Sequence, residues 1–314
     1  MSQVNLCKDA LFGVAVGDAL GVPIEFISRD SLTRQPIVGM TGFRVHNMPP
    51  GTWSDDSSLT FCLAEALTEG FDLHNLAAKF IRWQATAYWT ARGTVFDIGI
   101  TTRESIYNLK RGIRPEIAGG MDEQENGNGS LMRILPLVFY IKDMPLAERY
   151  RITKNVSSLT HAHIRSVIAC FYYLEFAKKL IEGADKFRIY EELKNEIPTY
   201  LNSLQINPDE IKLFDRLLNA DIYELTGDEI NSTGYVLHTA EASIWCLLTT
   251  DNYRDAVLKA VNLGLDTDTT GAVTGGLAGL LYGYDTIPED WTSVLARHDD
   301  ILELAERLCK ALDK

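Results

Sequence analysis

The chain has no surplus of positive charge: 30 lysines and arginines stand against 43 aspartates and glutamates, a formal net charge of -13. Nucleic-acid backbones are held by basic patches, so this balance argues against a nucleic-acid partner. It leaves room for a small anion gripped by local backbone N–H groups. Long apolar runs are missing too. The longest uncharged stretch, residues 269–284, is too short and too rich in glycine for a membrane span. The first residues carry no basic segment followed by an apolar core, so the expectation is a cytoplasmic protein without a membrane partner. Cysteine is sparse. Cys7, Cys62, Cys170, Cys246 and Cys309 lack metal-ligand spacing, and their apolar contexts read as buried, reduced thiols. Strict polar–apolar alternation is scarce, and no low-complexity tract or Ser/Gly linker marks a domain boundary.

What is present is helical spacing. Residues 11–20, 59–67, 76–83, 131–141, 167–181, 240–248 and 253–263 place apolar side chains at 3.6-residue intervals. Glycine and proline concentrate in connections at 39–51, 112–129 and 227–234. With 314 residues the chain can bury a sizeable core. The reading is all-α: a compact single-domain multi-helix bundle over residues 1–314, with the more charged stretch at about 184–228 as a helical insertion on its surface. One helix has Gly271, Gly275, Gly279 and Gly283 every four residues. Each glycine costs roughly 0.8–1 kcal/mol of helix propensity against alanine. Four on one face imply close helix–helix approach and a rigidly held loop before them.

Two acidic clusters lie at opposite ends of the chain, Ser54-Asp55-Asp56-Ser57 and Asp266-Thr267-Asp268-Thr269, each running into an apolar helical segment. Helix capping explains either one alone. Yet a cap needs one acceptor, whereas each cluster holds two carboxylates within a turn, which repel unless a cation neutralises them. Together they point to one oxygen-lined site for hard divalent cations, two being plausible for four carboxylates. Between them, Gly127-Asn128-Gly129-Ser130 opens an apolar segment with backbone N–H groups suited to a phosphate or diphosphate, although Asn-Gly turns are common. Asp18, in Gly17-Asp18-Ala19-Leu20-Gly21, reads as structural, and Glu25 as a loop residue that is alone only a surface glutamate. The pair His161 and His163 reads as capping or hydrogen bonding beside a ligand rather than as zinc ligands. Asp97 is either an N-cap or a carboxylate for a cationic group on a substrate.

In order, these motifs resemble the ADP-ribosylglycohydrolase family, most closely its dinitrogenase reductase-activating type. The matching segments are Gly17-Asp18-Ala19-Leu20-Gly21 with Glu25, Trp53-Ser54-Asp55-Asp56-Ser57, Phe96-Asp97-Ile98-Gly99 with Thr101-Thr102, Gly127 to Arg133, His161, and Asp266 to Gly271. Relatives often have threonine where this chain has Ser54, whose hydroxyl can still ligate. The resemblance implies an all-helical hydrolase with two Mg²⁺ or Mn²⁺ ions, acting on a mono-ADP-ribosylated protein and releasing ADP-ribose. It implies Ser54, Asp55, Asp56, Asp266, Asp268 and Thr269 as metal ligands, with Asp268 bridging. Gly127, Asn128, Gly129, Ser130 and Met132 would line the diphosphate and distal ribose, and His161 would lie against the ligand. Glu25 would sit on a mobile loop over the metals, and Asp97 would face the guanidinium of a modified arginine. Asp55 and Asp56 would stabilise oxocarbenium-like charge, and both Glu25 and Asp55 are candidates for moving the proton. Hydrolysis of a serine-linked or ester conjugate, and binding of ADP-ribose without turnover, are the alternatives.

Overall fold

The computed structural model describes residues 3–312. Among them there is no named strand, only isolated bridges between Gly120 and His161 and between Gly127 and Tyr235. The all-α reading holds. No helix is long and apolar enough to cross a membrane among the described residues.

The centre is a pair of helices from the two ends of the chain, Gln3–Gly21 and Thr267–Tyr282. They approach so closely that glycine is required along the seam. A Cβ on Gly17 would lie 2.1 Å from the Gly271 carbonyl oxygen, and one on Gly275 would lie 2.2 Å from that of Gly13. At the end of the seam, a Cβ on Gly21 would meet the Asp268 amide nitrogen at 2.3 Å. The four-residue glycine spacing read from one helix thus has a matching register on the other, and the seam runs directly into the second acidic cluster. Gly283, the last glycine of the series, lies outside the seam and ends the helix with φ 87°.

Three further helices pack around this pair: Asp55–Thr68, Tyr253–Val261 and His298–Leu312. The Tyr253 hydroxyl donates to the Gly13 carbonyl at 2.8 Å, tying one of them to the seam. Within the charged stretch, the helix Lys186–Ser203 packs on Ile164–Ile181 through buried Ile189, Tyr190, Leu193, Ile197 and Leu201. Most of its charge lies on the outer face, where Lys179 bridges Glu192 and Glu196 and Lys194 bridges Glu191 and Asp221, while buried Lys186 donates to the Leu247 carbonyl. All five cysteines are buried.

Candidate active site

The helix Asp55–Thr68 begins with its capping already provided. The Ser54 hydroxyl accepts from the Asp56 amide at 3.2 Å. Asp18, projecting from the first helix, accepts from the Ser54 and Ser57 amides at 2.9 and 3.0 Å and from the Ser57 hydroxyl at 2.6 Å. The structural role read for Asp18 is this one. Its consequence is that Asp55 and Asp56 do not serve as the cap, although both are buried. At the other cluster, Asp266 stands at the N-cap position without a side-chain capping bond. Its Oδ2 instead accepts from the Asn128 amide at 2.6 Å, while Asn128 also donates to Thr239 Oγ1 at 2.8 Å.

The fold brings the two clusters together. The Thr269 hydroxyl lies 3.4 Å from Asp56 Oδ1. Oxygens of Asp18, Asp56 and Asp268 come within 4.8 Å of one another, as do those of Glu25, Asp266 and Asp268. The two triads share Asp268. Asp56 Oδ2 and Asp268 Oδ2 are buried with no hydrogen-bond partner. Burial pushes the Asp55, Asp56 and Asp268 carboxyls well above the usual range, and the charges acting most strongly on each are other carboxylates. Burial also raises Asp266, against the lowering effect of the Asn128 amide. Unpartnered carboxylate oxygens and hydroxyls make a ligand set that fits hard divalent cations.

Glu25 is only 3% exposed, so it is not the surface glutamate that its loop position suggests. The reason is local. Phe26 adopts φ 63° and donates its amide to the Leu265 carbonyl at 2.6 Å, turning the chain so that Glu25 faces inward. Its Oε2 then meets His46 Nε2 at 2.5 Å. Burial, followed by the charges of Asp97, Asp266 and Asp55, pushes the Glu25 carboxyl up to about 10. Asp97 also has positive φ, 55°, and lies near Glu25 and His46. Burial and Asp266 raise it to about 6.

Glu25, Asp55, Asp97 and Asp266 line a cavity of about 460 Å³, and Asp56 and Asp268 lie outside its lining. Gly127, Asn128, Gly129, Met132 and His161 line the same cavity. A Cβ on Gly129 would lie 2.7 Å from the His161 ring, so the loop can take this path only with glycine there. Burial and the Arg133 charge lower His161 to about 3, leaving a neutral ring whose Nδ1 is 2.9 Å from the Thr160 hydroxyl. His163 caps the next helix, accepting from the Arg165 amide at 3.3 Å. Ser130 lies behind the loop, outside the cavity lining, and its hydroxyl accepts from Ser157 Oγ at 3.0 Å. Buried Arg133 donates to the carbonyls of Gly129 and Val156, fixing the loop from beneath. Sequence reasoning missed the roles of His46 and Thr239, whose partners are distant in the chain, and of Arg133, whose hold on the Gly129 carbonyl four residues earlier has no periodic signal.

Raised carboxyl pKa values set the pH response. A carboxyl that holds its proton more tightly when folded contributes most below its unfolded value, near pH 4, and that contribution is lost as pH rises through the folded value. For Asp97 and Asp18 that loss runs through about 6. The metal-free protein is therefore expected to melt at lower temperature at about pH 8 than at about pH 5. Adding Mn²⁺ should raise Tm more at the higher pH, since ligation requires deprotonated carboxylates. An equal Mn²⁺ effect at both pH values would contradict binding at this cluster.

The chain's similarities agree with this geometry. The ADP-ribosylglycohydrolase family model matches residues 3–314. The chain is 34% identical over 309 residues to the ADP-ribosylarginine hydrolase Tri1 of Serratia proteamaculans, covering 98% of this chain and 79% of that protein. It is 27% identical over 295 residues to the ADP-ribosyl-[dinitrogen reductase] glycohydrolase of Rhodospirillum rubrum, covering 91% and 88% respectively. A solved structure described as an ADP-ribosylglycohydrolase-related protein complex superposes with a TM-score of 0.81 at 28% identity, covering 98% of each chain.

Proposed function

The chain belongs to the ADP-ribosylglycohydrolase family and is a hydrolase of glycosyl bonds, and from that premise we propose that it cleaves the N-glycosidic bond between ADP-ribose and arginine side chains of modified proteins. The observation that carries the reading is the pair of carboxylate triads sharing Asp268, with unpartnered oxygens on Asp56 and Asp268, beside the cavity. Ser54, Asp55, Asp56, Asp266, Asp268 and Thr269 are the residues we propose to hold two Mg²⁺ or Mn²⁺ ions. When bound, such cations neutralise the cluster and make water a nucleophile near neutral pH.

The protein's own groups divide the remaining work. The Gly127–Gly129 backbone and the neutral His161 ring receive the diphosphate end, with Met132 beside them. Ser130 supports that loop from behind, through Ser157. Asp55 stands on the cavity wall where positive charge develops on the ribose as the bond breaks, and carboxylates there lower the barrier. Asp97 faces the departing guanidinium. Glu25, held at Oε2 by His46, keeps its proton in the metal-free protein and would take the proton of the attacking water only with cations beside it to stabilise its ionised form. His46 is then a positioning residue.

The arginine preference has two supports: Asp97 near Glu25, and the arginine linkage in the name of the Serratia relative. The test uses one peptide ADP-ribosylated on either arginine or serine, incubated with the purified protein and Mg²⁺. Release of ADP-ribose from the arginine form is expected. Release from the serine form alone would sink the arginine assignment, and release from neither would favour a binding protein.

A further inference from the structure

Beside the carboxylates of the cavity, the chain exposes apolar side chains in a conformation that side chains disfavour. Phe26 follows Glu25 and is 65% exposed; Leu265 precedes Asp266 and is 41% exposed. Both have left-handed backbones, φ 63° and 62°. They are locked to each other's segment, the Phe26 amide donating to the Leu265 carbonyl at 2.6 Å and the Leu265 amide to the Ile27 carbonyl at 2.8 Å. Both line the mouth of the same cavity, as does Ile100, which is 73% exposed at the start of another helix.

Turning Glu25 and Asp266 inward requires sharp backbone turns, which explains the conformation at these positions. The Phe26 ring also stands 6.2 Å from the His46 ring, yet neither the turns nor that contact calls for so much exposed apolar surface. Glycine or asparagine suits left-handed backbone, and polar side chains suit solvent, yet phenylalanine and leucine stand here. Single exposed apolar residues are commonplace. An apolar rim drawn from three chain segments around one cavity mouth is a recognition feature.

We infer that Phe26 and Leu265 form a docking rim for the polypeptide that carries the modified side chain, contacting apolar residues that flank it. This rests on the reading of the cavity as an ADP-ribosyl-arginine site. Phe26 and Leu265 directly flank Glu25 and Asp266, the carboxylates we place where the bond breaks, although Asp266 also accepts from Asn128 of the Gly127–Gly129 loop. The group leaving there is the protein. The carboxylates beside the rim attract the cationic guanidinium.

The test compares three substrates: a peptide with leucines flanking one ADP-ribosylated arginine, the same peptide with serines in their place, and free ADP-ribosylarginine. The variant Leu265→Asn removes apolar surface with a residue that tolerates positive φ and leaves Phe26, whose ring stands against His46, in place; its Tm should equal or exceed that of the parent. Its kcat/KM on the leucine-flanked peptide is expected to fall by about tenfold, as for loss of an apolar anchor. On free ADP-ribosylarginine it should stay within about twofold, as for a surface change. Equal loss on all three would mean that the rim touches ADP-ribose itself, and an unchanged preference for leucine over serine would remove the rim from recognition. If no arginine substrate is cleaved, the arginine reading fails by itself. The serine-linked forms of the two peptides and free ADP-ribosylserine then carry the same comparison.

Discussion

Replacing Asp55 and Asp56 together by asparagine is expected to cut ADP-ribose release by roughly a thousandfold or more while leaving the fold intact. The change is nearly isosteric and does not touch the cap, which Ser54 and Asp18 provide through their own oxygens. An asparagine carbonyl can still accept the Thr269 hydroxyl that meets Asp56 Oδ1. Without metal, the variant should be at least as stable as its parent, because two buried groups surrounded by like charge become neutral. What disappears is the ability to neutralise cations and to oppose positive charge on the ribose. The melting-temperature gain on adding Mn²⁺ should vanish along with turnover. Normal turnover in this variant would refute a metal-centred mechanism, whereas an unfolded variant would refute the assignment of capping to Ser54 and Asp18.

Gly17→Ala is expected to cause a large stability loss for a single added methyl group. The new Cβ would lie 2.1 Å from the Gly271 carbonyl oxygen and 2.6 Å from its carbon, both backbone atoms of a buried helix. Neither can turn aside, so the two central helices must separate. Overpacking of a rigid contact costs about 3 kcal/mol, offset by about 1 kcal/mol of improved helix propensity. The net loss of about 2 kcal/mol corresponds to a Tm lower by about 3 °C in a chain of 314 residues. Activity should fall too, because the seam ends where Gly21 meets the Asp268 amide. Gly227→Ala is the matched control. Its Cβ meets Trp245 at 3.7 Å, an ordinary contact, and stability should change by no more than about 0.5 kcal/mol. Differential scanning calorimetry of both variants decides the matter, and an unchanged Tm for Gly17→Ala would contradict the seam.

The parts of the site legible in the sequence are those carried by contiguous residues. Helical periodicity and the scarcity of alternation exposed the all-α class, and each acidic cluster announced itself because two carboxylates share one turn. The four-residue glycine spacing announced a close helix contact but not its partner, since the matching glycines lie some 250 residues earlier. Glu25 was visible as a motif residue, but its burial depends on the left-handed turn at Phe26 and on an amide bond to Leu265. His46 sits in a Gly/Pro-rich connection with no periodicity, and nothing local marks it as the partner of Glu25. Capping and metal binding, rivals on paper, proved separable only once Asp18 was seen to reach across from another helix. Asn128 illustrates the same limit: a loop residue suited to phosphate, it also holds the carboxylate of Asp266.

The central claim is that carboxylates from opposite ends of the chain hold divalent cations and, with them, cleave ADP-ribosyl-arginine. Its most direct test is ADP-ribose release from an arginine-modified peptide by protein stripped with EDTA and then titrated with Mg²⁺ or Mn²⁺. The expected result is no release from the stripped protein and saturable recovery as either cation is added, with no recovery in the Asp55→Asn/Asp56→Asn variant. Undiminished release after stripping, or recovery in that variant equal to the parent's, would contradict it.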